Sequence, residues 1–311
     1  MSFVIPLYET GSGIEALMQA FVAIRVEGGF ELVLINDGST DGTGEKVHEL
    51  IGSMPFPVTF VDLARNYGEH AAVLEGFRHA RGKTVVNLDD DLQNPVDEAL
   101  RLLDHLEKTG SDVVYASYKR KHHHWFRNFG SWFTNRLATW MLGKPKDLYL
   151  CSFRAHSRDL IDRIKKYTGP YPYIDGLILA ATNRIERLEV RHEPRREGHS
   201  SYSFRRLVRL WMNMFFNFSV MPLRAASVLG FALGLAGLLG LIAVLVEHFL
   251  LKTDVPGWAS LMATMALASG TQLVMLGLLG EYIGRAYMTL AGRPQSIVRL
   301  LQIHQPETQM S

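Results

Sequence analysis

The sequence predicts an α/β domain with a mostly parallel sheet and flanking helices, followed by interfacial amphipathic helices and a C-terminal two-helix transmembrane hairpin. Three observations predict it. Between residues 3 and 117, apolar runs of strand length alternate with stretches of helical spacing. Two long runs, 225–246 and 255–280, hold no charged residue. Nearly all the charge of the chain lies before Arg224.

Each element follows from its local pattern. Residues 3–8 form a first strand and 14–25 have helical spacing. A second strand, 30–35, ends at Asn36-Asp37-Gly38-Ser39-Thr40-Asp41-Gly42, a turn cluster with a Ser or Thr to cap a helix. A strand at 58–63, a helix at 70–80, a strand at 84–88, a helix at 96–106 and a strand at 113–117 complete the order. Such alternation argues for parallel neighbours with helices on both faces. Ligands of these sheets bind at the carboxyl ends of strands, where Asp37 and Asp89 fall.

Each uncharged run is long enough to cross about 30 Å of hydrocarbon as a helix. A soluble core would have to bury two uncharged helices of this length together. The link 247–254 has Lys252 as its only Lys or Arg, whereas Arg205, Arg206, Arg209 and Arg224 precede the first run and Arg285, Arg293 and Arg299 follow the second. The positive-inside rule then places the large domain and the C-terminus in the cytoplasm, on the inner membrane. The N-terminus shows no signal peptide, in keeping with that side. Residues 125–142 and 203–221 mix aromatic and basic residues at helical spacing and read as interfacial helices. The expected organisation is a cytoplasmic domain at 1–202, a juxtamembrane helix at 203–221, a hairpin at 225–284 and a cytoplasmic tail at 285–311.

A formal net charge of +2 argues against a nucleic-acid partner. The single cysteine, Cys151, permits no intrachain disulfide and fits a reducing compartment. A two-span hairpin with aromatic interface helices is compatible with assembly into homo-tetramers.

The richest chemistry lies in Leu88-Asp89-Asp90-Asp91-Leu92-Gln93-Asn94-Pro95, where a buried strand must end. If the extended path continues, Asp89, Asp91 and Gln93 share one side. Oxygen ligands suit a hard cation such as Mg²⁺ or Mn²⁺, which keeps open positions for substrate phosphates. The pattern therefore points to metal-assisted handling of a diphosphate. Other motifs are weaker. Gly82-Lys83-Thr84 lacks the earlier glycine of a P-loop, since Phe77 stands there. Gly11-Ser12-Gly13-Ile14-Glu15-Ala16 follows a strand and opens a helix, so a membrane-anchored dinucleotide-dependent enzyme is one rival. His122-His123-His124 reads as an exposed basic loop, because adjacent residues rarely chelate one ion well.

In order, these segments resemble family 2 glycosyltransferases of the GT-A fold, and within them the polyprenyl-phosphate glycosyltransferases. Val4-Ile5-Pro6-Leu7-Tyr8 resembles the opening strand, Asn36-Asp37-Gly38-Ser39-Thr40-Asp41 the nucleotide-binding turn, and Asp89-Asp90-Asp91-Leu92-Gln93 the metal motif. Cys151-Ser152-Phe153-Arg154 resembles the strand carrying an acceptor-site arginine. Arg195-Arg196-Glu197-Gly198-His199-Ser200-Ser201-Tyr202 resembles the Arg-x-x-Gly-x-Ser-x-Tyr motif, and Gly277 to Arg285 the end of the second span. Arg65-Asn66-Tyr67-Gly68-Glu69-His70 and Pro222-Leu223-Arg224 narrow the likeness to transferases that place 4-deoxy-4-formamido-arabinose on undecaprenyl phosphate. The likeness runs from about Phe3 to Arg293. A processive polysaccharide synthase is the nearer rival, but its Gln-x-x-Arg-Trp motif is missing.

The resemblance implies inverting transfer of one sugar from a nucleotide donor, UDP-linked by the narrower likeness, to a polyprenyl phosphate for cell-envelope glycan or lipid A modification. Asp89, Asp91 and Gln93 would hold Mg²⁺ or Mn²⁺. Pro6, Tyr8, Glu9, Asp37, Arg65, Asp89 and Asp90 would line the nucleotide, with Asp37 on base or ribose. Arg154 and Arg195 would grip the acceptor phosphate, joined by Ser200 and Tyr202 and more weakly by Lys119 and Arg120. Asp89, Asp91, Arg154 and Arg195 are then the catalytic set. Three departures stand out. Glu9-Thr10 replaces the usual Asn-Glu, Tyr118 replaces an arginine after the fifth strand, and Ser201 replaces a lysine.

Overall fold

A computed structural model describes residues 1–118, 148–191, 221–246 and 257–306. The stretches 125–142 and 203–220 lie outside them. The chain divides into two compact units, residues 1–206 with 293–311, and residues 207–292.

In the first unit, β1 (Ser2–Leu7), β2 (Glu31–Asn36), β3 (Val58–Leu63), β4 (Thr84–Asn87), β5 (Val113–Ser117), β6 (Arg154–Ser157), β7 (Ile185–Glu189) and β8 (Val298–His304) form one sheet. Their order is β7-β5-β6-β4-β1-β2-β3-β8. β1 pairs in parallel with β2 and β4, and β2 with β3. These four strands are almost wholly buried, as expected of apolar runs covered on both faces. The expected fifth strand is present but does not lie beside β4. β6 inserts between them, antiparallel to both, and β7 pairs in parallel with β5.

The largest difference from expectation is β8. Its residues were expected in a tail at 285–311, yet they pair antiparallel with β3 as an edge strand. Val298, Leu300, Leu301 and Ile303 stay 38–45% exposed, and Arg299 interrupts the pattern, so the segment lacks the alternation that marks a half-buried strand.

The helices are α1 (Gly13–Val22), α2 (Thr43–Leu50), α3 (Glu69–His79), α4 (Val96–Thr109), α5 (Arg158–Ile164) and α6 (Ile174–Ala181). α1 stops before residue 25 because Arg25 turns back, its Nη1 donating to the carbonyls of Val22 and Ile24. α4 starts after Pro95, carries Asp97 and Glu98 in its first turn and ends at the left-handed Gly110. Its Val96, Ala99, Leu102, Leu103 and Leu106 form one buried stripe. Phe3 packs edge-on against Phe21 and Phe30, at 4.9 and 5.7 Å between ring centres, at the heart of the core.

The second unit holds α7 (Met221–Val246) and α8 (Trp258–Leu290). Residues Leu223–Val244 and Ser260–Leu290 are long and apolar enough to cross a membrane, and their most apolar windows have no buried share. A core helix of a soluble protein would hide such side chains, whereas Phe231, Leu239 and Val274 are all more than half exposed. Near the end of α8, Glu281 and Arg285 pair one turn apart, with Arg285 Nε donating at 2.8 Å.

Candidate active site

The carboxyl ends of β1, β2, β3 and β4 point the same way, and the loops that leave them are stitched together. After β1, Glu9 N–H donates to Ser39 Oγ at 3.0 Å, while Glu9 Oε1 accepts from Thr40 N–H and Oγ1, both at 3.0 Å. Thr10 Oγ1 donates to the Asp90 carboxylate, joining the first loop to the acidic turn. Tyr8 is 48% exposed at the same rim. Pro6 remains inside β1 and is half-buried.

Asp37 was expected to contact base or ribose. Its carboxylate accepts the backbone N–H groups of Tyr67 at 2.7 Å and Gly68 at 2.9 Å, and the residue is buried. It thereby fixes the loop that carries Arg65, whose guanidinium lies 4.9 Å from the Tyr67 ring centre. The two turns approach closely at Gly38, which has φ 64°. A β-carbon there would stand 2.3 Å from the Arg65 carbonyl carbon, so glycine is required. The glycine turn at Gly11 is also occupied internally, its N–H donating to Thr43 Oγ1 at 3.0 Å. Gly82 N–H is likewise taken, by Ser2 Oγ at 2.7 Å. Neither motif presents these amides as a phosphate cradle.

The acidic segment does not continue β4 as an extended chain. The strand ends at Asn87, the backbone turns at Asp90-Asp91, and Leu92 has φ 54°. The alternation expected to place Asp89, Asp91 and Gln93 on one side is therefore broken. Asp91 Oδ1 accepts the Gln93 N–H at 3.1 Å, which closes the turn locally. Glu9, at the end of the neighbouring strand, also has φ 54°. Two non-glycine residues in this region of φ, in loops joined by the Thr10–Asp90 hydrogen bond, mark backbone held in place by its surroundings.

Asp89 accepts a hydrogen bond from Ser152 Oγ. Burial pushes its carboxyl up to about 7, with further upward pressure from Glu69, Asp91 and Asp90 and a partial offset from Ser152. Burial likewise raises Asp90, against the hydrogen bond from Thr10. The site thus crowds carboxylates beyond what its own hydrogen bonds compensate. A divalent cation would relieve this, and the oxygen donors fit Mg²⁺ or Mn²⁺. Among the described residues no three His, Cys, Asp or Glu side chains form a metal cage. One or two carboxylates suffice where diphosphate and water complete the shell.

Arg154, expected at the acceptor phosphate, is enclosed. It is 2% exposed, ion-paired with Asp175, and its guanidinium lies 5.7 Å from the Tyr115 ring centre. Tyr115 OH donates to the same Asp175 carboxylate at 2.9 Å. The Arg154 Nε is buried with no hydrogen-bond partner among the described residues. Lys119, Arg120, Arg195, Ser200 and Tyr202 lie outside the described residues, as does the His122–His124 run. Thr10, Ser152 and Glu69 were not singled out from the sequence. For Ser152 a signal existed, since it precedes Arg154 by two in the quoted motif and so shares its side of an extended chain.

Residues 2–165 match the family model described as Glycosyl transferase family 2. The chain belongs to glycosyl transferase family 2. The undecaprenyl-phosphate 4-deoxy-4-formamido-L-arabinose transferase of Proteus mirabilis is 33% identical to this glycosyltransferase over 303 residues, covering 96% of this chain and 93% of that one. The protein of the same name from Klebsiella pneumoniae strain 342 is 34% identical over 316 residues, covering 99% and 95%. Among solved structures, the glucosyl-3-phosphoglycerate synthase of M. tuberculosis aligns at 16% identity, covering 69% of this chain and 78% of that one, with a TM-score of 0.49. The enzyme's fold is GT-A, a mostly parallel sheet flanked by helices, accompanied by two apolar C-terminal helices.

Proposed function

We propose that this glycosyltransferase moves one sugar from a nucleotide diphosphate, UDP-linked in the first instance, to undecaprenyl phosphate at the cytoplasmic face of the inner membrane. The product is a lipid-monophosphate sugar for cell-envelope glycan or lipid A modification. The observation that carries this reading is the acidic turn after β4, hydrogen-bonded to the loop after β1 at the carboxyl ends of the parallel strands. The names of the full-length relatives supply the acceptor. The α7–α8 pair would anchor the enzyme in the membrane that holds it.

Asp89 and Asp91, with Gln93, would hold Mg²⁺ or Mn²⁺, which when bound offsets the charge developing on the leaving diphosphate. Asp37 holds the Tyr67-Gly68 backbone, so that Arg65 and Tyr67 present a cationic and aromatic face to the nucleotide. Pro6, Tyr8, Glu9 and Asp90 shape the opposite wall. The acceptor is a phosphate monoester whose second pKa lies near 6, so it is largely ionised at neutral pH and needs no dedicated general base. It needs positive charge. Arg195, with Ser200 and Tyr202 and the nearby Lys119 and Arg120, is the proposed grip, since guanidinium binds phosphate bidentately. Arg154 serves from below, as the buried partner of Asp175.

The test is a panel of nucleotide sugars offered with undecaprenyl phosphate to the full-length enzyme in detergent, read by mass of the lipid. One donor should add a single sugar to the lipid phosphate. No lipid product with any donor would overturn the acceptor assignment.

A further inference from the structure

β8 is reached only after both apolar helices, yet it ends within the network that shapes the nucleotide turn. Leu300 pairs with Asp62 and Val298 with Leu63, so Arg299 is the extra residue of a bulge. Bulges re-aim side chains, and this one sends the Arg299 guanidinium onto the Asp62 carboxylate, Nε at 2.9 Å and Nη2 at 2.6 Å. Asp62 is 4% exposed and lies opposite Asn36 in the parallel β2–β3 register. Asn36 Nδ2 donates to Asp62 Oδ1 at 2.9 Å, and Asn36 Oδ1 accepts the Ser39 N–H at 3.2 Å. Ser39 Oγ then accepts the Glu9 N–H at 3.0 Å. An unbroken series of hydrogen bonds thus runs from the C-terminal strand to the loops after β2 and β1. Ala64, where the Arg65 loop begins, donates its N–H to the Ile297 carbonyl at 2.8 Å, a second tie from the same segment.

We propose that Arg299 is a positioning residue for the donor nucleotide, acting through Asp62 and Asn36 on the 37–41 turn. It touches neither sugar nor acceptor. The fork on Asp62 fixes which oxygen faces Asn36, and so fixes the Asn36 carboxamide that holds Ser39. The segment following the membrane helices is therefore part of the donor site, and nucleotide affinity depends on its being seated. This inference rests on the reading of the 37–41 turn as nucleotide-binding.

The test compares full-length wild type, Arg299→Ala, Arg299→Lys and the control Lys108→Ala in detergent. Lys108 pairs with Asp104 on the exposed side of α4, away from this network. Each is titrated with UDP and GDP, assayed for donor and acceptor KM, and melted. Arg299→Ala should bind nucleotide about tenfold more weakly, the scale of one lost hydrogen bond to a charged group. Acceptor KM should be unchanged, while the unfolding midpoint should fall, because Asp62 is left buried without its cation. Arg299→Lys keeps the charge without the fork and should lie between, and it decides the matter if Arg299→Ala does not fold. Lys108→Ala should match wild type. Wild-type nucleotide affinity in either folded Arg299 variant overturns the proposal. So does an equal loss of donor use and acceptor use, which a merely structural residue would give. If wild type binds UDP or GDP but never glycosylates undecaprenyl phosphate, the proposed function falls while the nucleotide titrations still judge Arg299. If wild type binds neither nucleotide, both fall.

Discussion

Asp91 and Arg154 show how differently two charged residues can be read. The acidic cluster was legible because an apolar run cannot carry three carboxylates into a core, so they had to emerge where the strand ends. The turn at Asp90-Asp91 and the φ of 54° at Leu92 were not legible, since leucine carries no signal for that region. Asp91→Ala should lower sugar transfer by at least about 100-fold, the scale of removing a group that stabilises transition-state charge; a labelled-donor assay in membranes checks it. Arg154 reads as a phosphate ligand from its motif, which gives no sign of its ion-pair partner Asp175, 21 positions on in α6. Removing the cation would leave Asp175 buried and uncompensated. Arg154→Ala should therefore destabilise the domain by about 3–5 kcal/mol. The Arg154→Met, Asp175→Leu pair, which removes both charges, should recover much of that. Thermal melts of the three proteins decide it, and an unchanged melt for Arg154→Ala would restore an exposed role.

At the scale of elements, β1 to β5 were readable because buried parallel strands are continuous apolar runs between turn signals. The apolar pattern did not reveal β6, which only the resemblance of residues 151–154 suggested, nor β8, for two reasons. β6 holds Arg154 and His156, both buried, so its composition denies its location. β8 belongs to the sheet through pairing with β3, a contact between residues more than two hundred positions apart. The same C-terminal segment also reaches α3. Ser296 Oγ donates to Glu75 Oε2 at 2.9 Å, beside Arg78 at 2.6 Å and His79 at 3.2 Å. Burial opposes ionisation of Glu75, but hydrogen bonds from His79, Arg78 and Ser296 and the charge of Arg78 win, lowering its pKa from 4.5 to about 2. A depressed carboxyl stabilises the fold above its unfolded value and loses that contribution as pH falls toward its folded one. Wild type should exceed Glu75→Gln by up to about 3 kcal/mol at pH 6, with the gap closing below about pH 4.5. Unfolding midpoints across that range test the sign, and a constant gap would contradict it.

For the whole molecule, the division into a charged unit and an apolar pair of helices was visible in the distribution of charge alone. Phe231, Leu239 and Val274 are exposed on helices long and apolar enough to cross a membrane. Leu239→Arg, near the middle of α7, should raise the insertion free energy by about 3 kcal/mol and shift protein from the membrane to the soluble or degraded fraction. Fractionation and blotting read this directly, and undiminished membrane recovery would count against a spanning α7. The proposed reaction has the acidic turn after β4 handle a nucleotide diphosphate through a divalent ion while a lipid phosphate attacks. The most direct measurement is mass spectrometry of undecaprenyl phosphate after incubation with full-length enzyme and its donor, before chelation, after chelation, and after Mg²⁺ or Mn²⁺ is restored. The account predicts one sugar added to the lipid, lost on chelation and regained with the metal. Equal lipid glycosylation in all three conditions would contradict it.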